Sequence, residues 1–523
     1  MRFSHIIKSI LLVAAFLSLV TTGEVIAQQS CQVFTLLQGP YAVGFRSVNQ
    51  FDNSRSFAKY SAEGTLVNKG GTRPIQTSIW YPAENGDDAT LMLFEEYVDL
   101  VAYEVGFPEM TSEVRAAARR GLQFSFDSPA NRFNSELKAK TNAIRDARPA
   151  SGSFPVIIYG PSFGSQSFEN SVLFEYLASF GYIIVSSPCM GQKSRAMTQD
   201  ILGIEAQAKD MEFLISFAHS LPDADMEKLA VMGFSWGGIS NVFVQMRNDN
   251  VKAVICLDGS IRYNPELFKD SPYSDSMKMD VPFLYLAQKN FSVEQLDAMK
   301  IDITPNFFNS LKRSDAYLLT FGNLQHQNFA SNYIRLIERN LWYENEGTQE
   351  EVNQGYESVC RYVLNFLDAY LKDNKQALAF LRDKPEQNGI APHLVVGQFK
   401  KAQQAPPSLT EFRLALGQAG FETASSVYAE MKKATPSFSL RENEISDWGY
   451  ELVARGRIKE AVEIFKLNVE LYPASSNVYA SLGEAYMNDG NRELAIRNLE
   501  KSVELDPQNA FNLQFLKKLK EQK

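Results

Sequence analysis

Seven short apolar runs, rich in β-branched or aromatic residues, lie between residues 75 and 330: Ile75–Tyr81, Val156–Tyr159, Tyr182–Ser186, Leu229–Phe234, Val251–Leu257, Pro282–Ala287 and Ala316–Thr320. Helical patterns such as Glu169–Phe180 and Ile201–His219 separate them. Nearly continuous apolar strands spaced by helices build a mostly parallel sheet covered on both faces. The fold class is therefore α/β. The segment 83–149 is long and helical in part, does not fit the alternation, and reads as an insertion or cap. Helices after Gln327 and around Glu351–Leu371 close this domain.

A composition shift follows. Gln403-Gln404-Ala405-Pro406-Pro407 reads as a linker, and the chain beyond it is helical without strands. Two stretches repeat there, from Trp448-Gly449 to Tyr472-Pro473 and from Leu482-Gly483 to Asp506-Pro507, with Pro473 and Pro507 34 residues apart. In that register Gly449 matches Gly483, Ala461 matches Ala495 and Phe465 matches Leu499. The pattern resembles the tetratricopeptide repeat, in which small residues let paired helices cross closely and a proline ends the second helix. A degenerate unit at Leu409–Pro436 precedes them, and residues 408–523 form an all-α repeat domain. Modules of this kind present a surface for a protein or peptide partner.

The N-terminus reads as a secretory signal over residues 1–27. Arg2 and Lys8 supply positive charge, Ser9–Val20 is a short apolar run, and Val25-Ile26-Ala27 suits cleavage before Gln28. That run falls short of the ~20 residues a membrane span needs. Gln29-Ser30 before Cys31 is unlike a lipoprotein acceptor site. The expectation is an exported protein, secreted or periplasmic, with no transmembrane segment after signal removal. Its 523 residues carry a formal net charge of −9, which argues against nucleic acid as a partner. The four cysteines are too dispersed for a disulfide framework or a zinc site, and Cys256 lies in an apolar run as a small hydrophobe. Neither a metal nor another cofactor is called for.

The chemistry centres on Gly233-Phe234-Ser235-Trp236-Gly237-Gly238, a G-x-S-x-G between the apolar strand Leu229–Met232 and a helical run Ile239–Met246. A nucleophile elbow requires this strand–turn–helix context, with the serine in a strained conformation that calls for glycine two residues before and after it. The helix N-terminus then faces the developing oxyanion. A serine needs a general base, and the chain has four histidines. His5 leaves with the signal, His219 precedes the nucleophile strand near the opposite sheet edge, and His393 lies beyond the closing helices. His326 follows the last strand by Gly322-Asn323-Leu324-Gln325, at the carboxyl edge that also carries the elbow. Asp258 ends the strand Val251–Leu257 and is the candidate acid. The usual place for that acid is one strand later, but Gln288-Lys289-Asn290-Phe291-Ser292 offers none before Glu294. Trp236, after the nucleophile, supplies one oxyanion N–H, and the second comes from Gly160-Pro161-Ser162-Phe163-Gly164-Ser165. Pro161 has no N–H. Phe163 is the first choice and Ser162 the next. Phe163, Phe234 and Trp236 either line an apolar acyl pocket or pack the sheet top.

Gly160-Pro161-Ser162-Phe163-Gly164, Gly233–Gly238, Cys256-Leu257-Asp258 and His326-Gln327-Asn328-Phe329-Ala330 together resemble the secreted, lipid-associated platelet-activating-factor acetylhydrolases. These are related to dienelactone hydrolases and cutinase-like polyester hydrolases. The resemblance covers roughly residues 70–335 and implies an α/β-hydrolase fold, here over residues 28–400. It also implies a Ser235, Asp258, His326 triad and Phe163 at the oxyanion position. Where that family has His-Gly before the oxyanion residue, this chain has Pro161-Ser162.

The expected activity is hydrolysis of a carboxylic ester, a small-molecule or lipid ester such as an acetyl ester, through an acyl-enzyme. Two other readings use the same residues or none of them: a peptidase or amidase with this triad, and a non-catalytic protein that binds through its repeats.

Overall fold

The computed structural model describes residues 34–60, 66–86, 90–269, 271, 279–288, 306–337, 348–403 and 407–521. The signal segment, Cys31, Glu294 and residues 404–406 of the linker lie outside them. The chain divides into two compact units after Gln403.

The first unit is built on ten strands: β1 (Ala42–Tyr60), β2 (Leu66–Ala83), β3 (Ala143–Arg145), β4 (Phe154–Gly160), β5 (Ile183–Ser186), β6 (Ala224–Phe234), β7 (Val251–Leu257), β8 (Phe283–Gln288), β9 (Ala316–Phe321) and β10 (Val395–Lys400). Their order is β10-β9-β8-β7-β6-β4-β5-β2-β1-β3. From β9 to β5 every neighbouring pair runs parallel. On the flanks, β2 is antiparallel to β5, β1 to β2 and β10 to β9, while β3 runs parallel to β1. The six parallel strands and β2 correspond to the seven apolar runs. β1, β3 and β10 were not expected from the sequence.

Alternate residues of the parallel strands enter two separate cores. Ile157 and Tyr159 of β4 join one, with Tyr356, Val359 and Val363 of the long helix Gln349–Leu371. Val156 and Ile158 join the other, with Met211 of the helix Ile201–Ala218 and Val242 of the helix Trp236–Gln245. Burial on both faces is what the unbroken apolar runs require.

The segment 83–149 holds the helices Phe94–Val98, Ser112–Ser125 and Ala130–Leu137, then β3. It is tied in deeply. Phe94, Tyr97, Leu122 and Phe133 are buried in the first core, and Arg335 Nη1 donates to Glu136 across 2.9 Å in a buried pair.

The second unit consists of the helices Leu409–Ala419, Ala424–Ala434, Glu442–Ala454, Ile458–Leu471, Ser476–Asn488, Arg492–Leu505 and Ala510–Glu521. Its core includes Phe412, Trp448, Leu452, Phe465 and Leu482, with the repeat-matched Ala461 and Ala495 buried among them. Among the described residues, no helix is long and apolar enough to cross a membrane.

Candidate active site

Ser235 follows β6 directly and precedes the helix Trp236–Gln245, with φ 52° and ψ −113°. Neither Gly233 nor Gly237 has positive φ; both are needed because the chain passes too close for a side chain. A Cβ on Gly237 would overlap Gly160 O of β4. The strain lies at the serine itself, and the backbone holds it: Ser235 N donates to Leu257 O at 3.0 Å, and Ser235 O accepts from Ser260 N at 2.7 Å. One position further, Gly238 packs its Cα against Gly259, so the elbow helix and the turn after β7 touch backbone to backbone.

That turn carries Asp258, which also has positive φ, 41°. Aspartate tolerates this region better than most residues. Two adjacent strand ends thus each deliver one strained residue, and such strain, of order 1–3 kcal/mol per residue, persists only where the surroundings over-determine it.

His326 opens a one-turn 3₁₀ helix, His326–Phe329, after β9. Its Nε2 lies 2.9 Å from Ser235 Oγ and its Nδ1 2.6 Å from Asp258 Oδ2. The three residues therefore form one continuous hydrogen-bonded line across the carboxyl edge of β6, β7 and β9. Asp258 is fully buried, while the imidazole is partly open to solvent. His219 is an exposed residue at the end of the helix before β6, and His393 is exposed ahead of β10.

Two residues that the sequence did not single out complete the support of Asp258. Tyr263 donates its hydroxyl to both carboxylate oxygens at 2.9 Å. Gln288, at the end of β8, donates its N–H to Asp258 Oδ1 at 3.1 Å, its Nε2 to the Tyr263 hydroxyl at 2.7 Å, and accepts from His326 N at 3.0 Å. Gln288 thus stands at the strand end where a later acid would sit, and there it holds both the earlier acid and the histidine loop. Burial, with Asp258 alongside, pushes the Tyr263 phenol far up, so it stays a donor.

The loop after β4 distinguishes the two oxyanion candidates. Ser162 N donates to the Glu169 carboxylate at 2.7 Å, as do Ser162 Oγ at 2.7 Å and the Tyr159 hydroxyl at 2.9 Å. The Ser162 N–H is therefore committed. The Phe163 N–H has no acceptor among the described residues. Trp236 N begins its helix, where no intrahelical partner exists. Burial raises the Glu169 carboxyl to about 7, against the donors that surround it. Its neighbour Asn170 reaches the other side of the site: Nδ2 donates to Phe329 O at 2.9 Å, and Oδ1 accepts from Ser331 N at 3.1 Å and from Tyr356. Glu169-Asn170 thus joins the oxyanion loop to the histidine loop. Both residues precede the helix, which spans Ser171–Ser179 rather than Glu169–Phe180.

The aromatic residues divide. Phe234 is buried against the His326 ring at 4.9 Å, and Trp236 is buried in the second core, so both are packing residues. Phe163 packs edge-on to Trp236 at 5.4 Å but is 40% exposed, and it lines a cavity of about 390 Å³. Tyr333 lines it from the histidine side, and Leu122 and Phe126 from segment 83–149. A second cavity, of about 180 Å³ and apolar, lies by Phe154 and Ile183 at the amino ends of β4 and β5, away from the serine.

The chlorophyllase family model matches residues 134–396, half of the chain, and encloses the elbow, Asp258 and His326. The chain belongs to the chlorophyllase family. Membership in this α/β-hydrolase-type family supports a carboxylic ester hydrolase. A tetratricopeptide repeat model matches residues 476–509. Among solved structures, the ferulic acid esterase from Streptomyces cinnamoneus is similar at 17% identity and a TM-score of 0.49, over 72% of this chain and 100% of that one. No curated protein matches the chain.

Proposed function

We propose that this member of the chlorophyllase family is a serine carboxylic-ester hydrolase that works through an acyl-enzyme. The observation that carries the reading is the line Ser235 Oγ, His326, Asp258, with separations of 2.9 and 2.6 Å. His326 Nε2 takes the hydroxyl proton as Ser235 Oγ bonds to the ester carbonyl carbon. Asp258 fixes the imidazole with its Nδ1 proton inward and stabilises the imidazolium. The N–H groups of Phe163 and Trp236 hold the oxyanion in place of solvent. Collapse breaks the bond to the alcohol oxygen, which leaves with the proton from His326. Water, deprotonated by the same nitrogen, then releases the acid and restores the serine.

The substrate is a small-molecule or lipid ester; the resemblance to platelet-activating-factor acetylhydrolases favours an acetyl or lipid ester. The charged n-region and short apolar run favour export to the periplasm or outside the cell, and the repeats favour a protein or peptide partner. Ser235→Ala tests the assignment. Turnover of p-nitrophenyl acetate should fall by at least 10³-fold, roughly the scale on which triad serines act, with the thermal midpoint unchanged. Full activity in this variant would remove the serine from the mechanism.

A further inference from the structure

The cavity beside Phe163 is not the apolar pocket that a plain alkyl chain would select. Arg195 lines it from the loop after β5. Its Nε donates to Glu104 Oε2 at 2.7 Å, Nη1 to Cys189 O at 3.0 Å and Nη2 to Gly164 O at 2.8 Å. A guanidinium carries five N–H groups, so each terminal nitrogen keeps one N–H without an acceptor among the described residues. The side chain is 32% exposed. Gln166 lines the same cavity; its side-chain Oε1 accepts a long 3.5 Å contact from Ser165 Oγ, and its Nε2 has no acceptor among the described residues.

These donors are held in advance of binding. Buried Arg73 donates to Gly191 O at 2.6 Å and to Asp210, which pins the loop that carries Arg195. Cys189 N donates to Ser165 O at 2.9 Å and ties this loop to the oxyanion loop. The positive charge is matched by Glu104, buried directly against Arg195. A ligand therefore meets N–H donors next to an ion pair already compensated, which favours a neutral oxygen over a carboxylate.

We propose that this cavity is the subsite for the non-reacting end of the ester, and that it selects esters whose far end carries an uncharged oxygen acceptor, a carbonyl above all, over alkyl isosteres. The inference rests on the esterase reading. Segment 83–149 acquires a role under it, since Glu104, Gly121 and Leu122 supply one wall.

The test compares p-nitrophenyl 4-oxopentanoate and 5-oxohexanoate with the pentanoate and hexanoate, each kcat/KM divided by the hydroxide rate of the same ester. Matched pairs on the alcohol side, acetates of 4-hydroxybutan-2-one and butan-1-ol, cover the other orientation. The full-length enzyme should prefer the ketone member of at least one pair by about tenfold, the scale of one charge-assisted hydrogen bond in a partly open site. Arg195→Met should bring that ratio close to one. Gly121→Leu supplies a second variant, because a Cβ there meets nothing within 4 Å and the side chain would occupy the cavity. It should lower the same ratio even if the Arg195 variant fails to fold. Ratios near one in the unmodified enzyme, with the alkyl esters still hydrolysed, would overturn the subsite while sparing the esterase. Preference for p-nitrophenyl monoglutarate over the ketones would overturn the neutral-acceptor assignment. No turnover of any ester and no labelling of Ser235 by a fluorophosphonate would overturn both readings.

Discussion

The two sides of the candidate site are held by different physics. On one side, Ser235 and Asp258 sit on neighbouring strand ends, each with positive φ, and their turns meet through Gly238 and Gly259 without side chains between them. On the other, the oxyanion loop and the histidine loop are far apart in sequence and are joined by side-chain hydrogen bonds from Glu169 and Asn170. Backbone geometry places the nucleophile and its acid, with Tyr263 gripping the acid's carboxylate; a buried polar network joins the base to the oxyanion donors. The first kind of support resists pH and fails only with a change of shape. The second is exposed to protonation and to loss of a single partner.

If this contrast is right, the largest effect after loss of the nucleophile belongs to the acid. Asp258→Asn should lower kcat by roughly 10³–10⁴, because an amide favours the wrong imidazole tautomer. Glu294→Gln, at the later acid position of the sequence pattern, should leave kcat unchanged. Steady-state kinetics on p-nitrophenyl acetate checks both, and a reversed pair of results would move the acid one strand along.

The next effect concerns Glu169 and reads as stability against pH. The folded protein keeps its carboxyl proton to about 7, whereas the unfolded chain releases it near the ordinary value of 4.5. The stabilisation is therefore complete below about pH 4.5 and is lost as pH rises through 7, by about 3 kcal/mol for a shift of this size. Glu169→Gln cannot ionise and should lack this loss. Denaturant unfolding at pH 5 and pH 8 should show the wild-type protein losing stability relative to the variant at the higher pH. Parallel profiles would mean that the network tolerates the charged form, and the contrast between the two sides would collapse.

The smallest effect is expected outside the first unit. The described site residues all precede Gln403, so a chain ending there should keep kcat on a small soluble ester within about threefold, well under 1 kcal/mol. An insoluble or inactive product would show that the repeats are needed for the fold of the first unit.

Sequence reading reached different depths on the two sides for the same physical reason. Ser235 announces itself through six consecutive residues, and Asp258 through its place at the end of an apolar strand. His326 was reachable by elimination among four histidines. Glu169, Asn170, Tyr263 and Gln288 carry no such local mark, since their function depends on partners brought close by the fold. Asn170 finds Phe329 across 159 positions. The motif itself calls for glycine on either side of the serine, but the strand end at Gly160 that leaves Gly237 no room for a side chain is invisible in it. Among the strands, β10 escaped notice because it is an edge strand with most residues exposed. β1 scatters single apolar residues among polar ones instead of forming an apolar run.

The central claim is that Ser235 is a nucleophile activated by His326 and Asp258, and covalent mapping tests it most directly. The full-length protein should be incubated with a fluorophosphonate, digested, and the adduct located by fragmentation mass spectrometry, alongside Asp258→Asn. The account predicts one adduct per chain, on the Ser235 hydroxyl, formed at least 10²-fold more slowly in the variant, about the lower range of general-base effects. An adduct on another serine, or labelling of Ser235 at the same rate in both proteins, would contradict it.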